Sequence, residues 1–138
     1  MSTISPLRLN LLRLAYLLLV AGLGPIIWPD ILDPSKSWSL APGVVKSMLA
    51  AISAVAILGL RYPLQMLPLL FFEIAWKTIW LARIAWPQSI AGTMDADTTQ
   101  TLFECVAVVI LLPLIPWDYV YRTYLAKPGD PWIKRREA

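Results

Sequence analysis

The chain has no histidine, a single cysteine, and charge on only 15% of its 138 residues. Without an imidazole there is no histidine general base, no His-ligated haem and no His-containing zinc site. Cys105 can neither close an internal disulfide nor build a thiolate metal site alone. It lies in an apolar block, where a free cysteine behaves as a small hydrophobe. Carboxylates are scarce too, and no Asp falls deep within an apolar block, so intramembrane proteolysis by paired Asp or by Ser and His has no residues to work with. Asp95-Ala-Asp97 is a two-carboxylate loop with no obvious third ligand for a metal. Neither a catalytic constellation nor a metal or cofactor site is expected, and the chain reads as a non-enzyme.

What remains is strongly apolar: 58% hydrophobic residues and a mean hydropathy of +0.63. A soluble domain of this length needs alternating polar faces, whereas here four apolar blocks are separated by short stretches rich in Pro, Asp and Gly. The expectation is an all-α, integral membrane four-helix bundle, one domain over residues 1–138, with spans at about 8–28, 44–61, 64–86 and 98–117. A net charge of +3 would suggest nucleic acid in a soluble protein, but the basic residues lie where membrane topology places them, so no nucleic-acid partner is expected.

The first block opens on Ser5-Pro6, an N-cap followed by Pro at the first helical position. Its basic start and Leu-rich middle also describe a signal peptide. With no A-x-A-like site, and with Pro25 after Gly24, it reads instead as a retained anchor. The second block carries Ser47, Ala50, Ala51, Ala54 and Gly59, small residues that let helix backbones approach closely in lipid and offer one candidate oligomer face. Tyr62-Pro63 and Trp86-Pro87 bracket the third. The fourth begins at Asp97, read as a cap with Gln100 three residues on, and Pro113 and Pro116 should kink or end it. Ile26-Ile27-Trp28-Pro29 and Ile84-Ala85-Trp86-Pro87 resemble each other, but anchoring and helix termination at a membrane exit account for both without an internal duplication.

Charge sets the orientation. With the N-terminus inside, Arg8, Arg13, Arg61, Arg122, Lys127, Lys134, Arg135 and Arg136 fall inside, against Lys36, Lys46 and Arg83 outside. Asp30, Asp33, Asp95 and Asp97 fall in the outer loops, and aromatic residues mark both interfaces. Both termini are therefore expected in the cytoplasm, with a basic tail over about 122–138 drawn to anionic lipid. Positive-inside anchoring accounts for that tail, with docking through Trp132 and Lys134 to Arg136 as the alternative. The short tails and the lack of an organellar presequence point to a bacterial inner membrane.

The third block is unusual in carrying Glu73, Lys77 and Arg83, because ionisable groups within a span are costly and need protein, water or a partner. At about 100° per residue, Glu73, Trp76, Lys77, Trp80 and Arg83 share one face. Glu73 and Lys77 are in the favourable i,i+4 order. From its spacing to the outer interface, Glu104 on a neighbouring antiparallel span falls between the levels of Lys77 and Arg83. The expectation is a Glu73–Lys77–Glu104 network facing the bundle interior, with Arg83 closing it or snorkelling outward. Lys46, Ser47 and Thr78 would complete a polar pocket in the outer half that suits an anionic lipid headgroup. No polar track continues inward from Glu73, so a conducting pore is excluded.

Glu73, Trp76, Lys77, Trp80, Arg83 and Glu104 are thus the candidate residues for binding a ligand or partner. The leading reading is an accessory, assembly or structural membrane protein organised by this cluster, with membrane lipids and either a protein partner or a homo-oligomer as its contacts. The alternative is a small transporter or a lipid- or anion-binding carrier.

Overall fold

The computed structural model describes residues 4–133. Lys134, Arg135 and Arg136 of the basic tail lie outside that range. Five helices and no strand are present among the described residues. They are α1 (Pro6–Leu32), α2 (Leu40–Arg61), α3 (67–91), α4 (Ala96–Leu114) and α5 (117–126). Three of them, α1, α2 and α4, are long and apolar enough to cross a membrane. At about 1.5 Å per residue α3 is long enough as well, but it holds Glu73, Lys77 and Arg83.

The helix ends follow local chemistry. Ser5 caps α1, its Oγ accepting from the Arg8 N–H at 3.3 Å with Pro6 at the first position, as the Ser-Pro pair implies. The fourth helix starts one cap earlier than expected. Asp95, extended at φ −82° and ψ 177°, accepts from the Thr98 N–H at 2.7 Å, and Asp97 sits in the first turn beside the positive end of the helix dipole. Hydrogen bonds from Thr98 hold the Asp95 carboxyl below its usual range. At its far end α4 tightens into a 3-10 turn over Leu112–Leu114 and breaks at extended Ile115, the stop that Pro113 and Pro116 imply. Chain that was expected to belong to the fourth span up to residue 117 turns the corner here, and the Trp117 indole donates back to the Leu112 carbonyl at 2.7 Å.

Neither Trp-Pro pair ends its helix. α1 runs on past Pro29 to Leu32 and α3 past Pro87 to Ala91, and each helix widens into a π-type turn before a proline, over Leu18–Leu23 before Pro25 and over Leu81–Ala85 before Pro87. In the second, the Trp86 N–H reaches back five residues to the Leu81 carbonyl. Such a turn absorbs the pairing that the proline just after it cannot make, so the helix continues instead of stopping. α1 stops where Asp33 precedes Pro34 and is pushed into extended backbone. α3 stops at Gly92, whose φ of +68° suits glycine, with Thr93 N–H closing on the Gln88 carbonyl.

Successive helices pack antiparallel, and the end of α4 returns to the start of α1. The buried core draws on Leu12, Tyr16 and Leu19 of α1, Ile52 and Ala56 of α2, Leu67 and Leu70 of α3, and Val108, Leu111 and Ile115 at the end of α4. These positions lie toward the end of the molecule that holds residue 6 and the 62–66 turn. At the opposite end α1 stays with α2, and α3 stays with α4.

Tyr16 is the pivot of the packed end. It is fully buried, its hydroxyl donates to the Pro63 carbonyl at 2.6 Å, and a Cβ on Gly59 would overlap its ring. The small-residue stripe on α2 is therefore partly spent within the chain. Ala50 and Gly59 are buried, whereas Ser47, Ala51 and Ala54 stay exposed. Beside Tyr16, Arg13 caps α2 by donating from Nε to the Leu60 carbonyl at 3.0 Å.

Gly59→Ala forces the Tyr16 ring out of place, and a loss of about 1–3 kcal/mol is expected, seen as a lower midpoint on heating in detergent. Tyr16→Phe keeps the ring and leaves the Pro63 carbonyl without its donor, for a smaller loss of about 1 kcal/mol. Equal losses from the two substitutions would contradict the close-contact account.

Candidate functional site

Leu67, Leu70 and Glu73 recur at a three-residue interval on the buried face of α3, so helical periodicity carries Glu73 inward with the core leucines. The carboxylate is 1% exposed. Its Oε1 meets Lys77 Nζ at 2.7 Å, and its Oε2 accepts from the Trp76 indole N–H at 2.9 Å. Lys77 Nζ also lies 5.6 Å from the centre of the Trp76 ring, within cation–π range. Three neighbouring residues of one helix thus form a closed unit: a buried acid, its counter-ion one turn on, and an indole touching both. No buried side-chain nitrogen or oxygen among the described residues lacks a partner.

The rest of the expected cluster is not gathered here. Trp80 is partly buried on the same helix without a hydrogen bond of its own among the described residues. Arg83 is exposed. Glu104 is exposed on α4 and makes no ion pair among the described residues, so the three-membered network reduces to Glu73 and Lys77. Its neighbour Cys105 is the residue that turns inward, 1% exposed and within the electrostatic reach of Glu73 and Lys77. Residue spacing gives the level of Glu104 in the span but leaves its rotation about the helix axis open, and one residue is worth about 100°.

The other proposed pocket members are engaged locally. Lys46 pairs with Asp30 at 3.2 Å and lies 5.0 Å from the Trp38 ring centre, and Lys36 pairs with the same Asp30. Ser47 and Thr78 hydroxyls donate back to the Gly43 and Ile74 carbonyls, at 2.9 and 2.7 Å. The polar pocket in the outer half is therefore not assembled by these side chains. A cleft of about 500 Å³ lies elsewhere, lined by Val20, Gly24, Pro25, Trp28, Ser53 and Ile57, and it is almost wholly apolar. No group of three or more metal-ligating side chains occurs among the described residues.

One polar constellation was missed from sequence. Asp118 at the start of α5 takes Arg8 of α1 through both guanidinium nitrogens and Arg122 through Nη2 at 3.3 Å. The i,i+4 spacing of Asp118 and Arg122 was a visible signal. The link to Arg8 spans 110 positions and follows no local rule. All three groups lie near the surface, so the link positions α5 more than it stabilises the fold.

Hydrogen bonding from Arg8 holds the Asp118 carboxyl well below the usual carboxylate range. A depressed carboxylate stabilises fully above its unfolded pKa of about 3.9, and that contribution is lost as the pH falls through the folded value. Docking of α5 on α1 is thus expected to hold at neutral pH and to weaken in strong acid or at high salt. Asp118→Asn should raise protease cleavage near Arg122 at pH 7 to the level of wild type in 1 M salt, with unchanged cleavage contradicting the link.

Lys77→Met leaves Glu73 buried without its counter-ion, and a loss of about 3–5 kcal/mol is expected. The double change Glu73→Gln/Lys77→Met should recover most of it, as measured by thermal unfolding in detergent. Additive losses would contradict the pairing.

No protein-family model, curated protein or solved structure matches this chain.

Proposed function

We propose that this protein is a four-span accessory or structural protein of a bacterial inner membrane. In this reading α3 is the third span, both termini lie in the cytoplasm, and the protein works by association and catalyses no reaction. The observation that carries the reading is the self-contained Glu73–Trp76–Lys77 unit. A carrier needs a titrating or ligand-holding group that opens on a cavity. Glu73 is enclosed and satisfied by its own helix, and it lines neither the apolar cleft beside Trp28 nor the small one beside Arg8 and Pro116. Such a unit lets one helix take two charges into a bundle at zero net charge, and it orients that helix by making one face too polar for lipid.

Further support comes from how charge divides between the two ends of the molecule. Arg8, Arg13, Arg61 and Arg122 gather with Asp118 at the end with the 62–66 turn, while Lys36, Lys46 and Arg83 lie toward the other among Asp30, Asp33 and Asp95. That division matches the positive-inside rule with residue 6 facing the cytoplasm. The polar groups needed at the outer rim are supplied by the Asp30–Lys36–Lys46 cluster beside Trp38.

The test is native mass spectrometry of the gently solubilised protein, wild type against Glu73→Gln/Lys77→Met, alongside pH-driven flux in proteoliposomes. The accessory reading expects an associated polypeptide on the wild type, kept in the variant because the pair is internal to α3, and no flux from either. A pH-dependent flux abolished by Glu73→Gln would overturn it in favour of a carrier.

A further inference from the structure

Two charges point away from the chain in the outer halves of α3 and α4. Arg83 and Glu104 are both exposed, and neither joins an ion pair among the described residues. Arg83 lies nine residues before Gly92 and Glu104 nine after Asp95. On antiparallel neighbours both therefore sit about 13 Å from the 92–95 loop, at one depth. The surface around Arg83 is apolar, with Ile79, Trp86 and Ile90 exposed at helical spacing from it, and Phe103 is exposed next to Glu104.

A lone charge on such a surface is costly in lipid. Cα–Cβ bonds tilt toward a helix's N-terminus, and α3 and α4 run in opposite senses. Arg83 thus leans inward, away from the nearer membrane surface, which lengthens its route to the headgroups. Glu104 leans outward and is too short to reach them.

We infer that this face of α3 and α4 is the contact between two copies of the chain, with Arg83 of each copy paired to Glu104 of the other. A two-fold axis along the membrane normal preserves depth, so opposite charges at one level on one face are complementary to their own copies. Two reciprocal pairs form, and the apolar residues beside them pack between the copies. The inference rests on the reading of α3 as a span and names the partner that the accessory reading leaves open.

The test uses two differently tagged copies of the full chain, expressed together, extracted with their lipid and captured on one tag. Wild type should carry the second copy down. Arg83→Glu with itself, and Glu104→Arg with itself, should lose about tenfold or more of that recovery. Arg83→Glu expressed with Glu104→Arg should return to near the wild-type level, since one acidic face then meets one basic face. A pair within one chain cannot produce that rescue, nor can a different partner protein. No second copy on wild type, or a mixed pair as poor as the single reversals, overturns the inference. If a reversal lowers accumulation, Arg83→Gln and Glu104→Gln replace it, and full recovery with both likewise overturns it. The span is checked separately with Arg83→Cys in a Cys105→Ser background, probed in sealed vesicles by a membrane-impermeant maleimide. Rapid labelling overturns the span itself, whereas protection together with failed rescue overturns only the dimer.

Discussion

A buried charge must be neutralised, and the Glu73–Lys77 pair does this within a single helix. Because acid and base are four residues apart, the pair forms as soon as the helix does, without waiting for a neighbour. Trp76 adds a donor from the same turn, so the acid enters the interior already hydrogen-bonded. The polar side of α3 is then obliged to face protein, and the Leu67 and Leu70 side comes with it. This fixes the rotation of α3, and through Leu67 and Leu70 it fixes how α3 meets Tyr16, Ile52 and Leu111 in the shared core.

The two ends of the molecule are built on different terms. Toward the 62–66 turn all four long helices contribute to one core, Tyr16 fills the space that Gly59 leaves, and Arg8 and Arg13 tie α1 to Asp118 and to the Leu60 carbonyl. Toward the other end the helices stay paired, and wide turns precede prolines in α1 and α3. A core concentrated at one end leaves the opposite end to be completed by lipid or by another helix surface, and the uncompensated Arg83 and Glu104 lie there.

Much of this was legible in the residues. The all-helical class follows from the apolar blocks. The Ser5-Pro6 start, the Pro113 and Pro116 stop and the Glu73–Lys77 pair follow from rules that act within four residues. Reading failed where the answer depends on rotation or on distance along the chain. Spacing places Glu104 along the helix but not about its axis, and one residue of rotation puts Cys105 inward in its place. The fourth helix is capped by Asp95 and not Asp97, since two acids two positions apart are equally good caps until the backbone is known. The helix runs through Trp86-Pro87 where a π-type turn absorbs the missing donor, and no residue pattern announces such a turn; α1 likewise runs through Trp28-Pro29. The Arg8–Asp118 link needs the whole fold in place before the two residues meet.

The central claim is that α3 lies in the membrane with its ion pair enclosed. Hydrogen–deuterium exchange of the protein in lipid nanodiscs tests it most directly. The account predicts that the backbone amides from about residue 70 through the Leu81–Ala85 turn exchange as slowly as those of α2, while the 92–95 loop exchanges quickly. Fast exchange across Glu73 to Lys77, with α1, α2 and α4 still protected, would contradict it and leave α3 at the membrane surface.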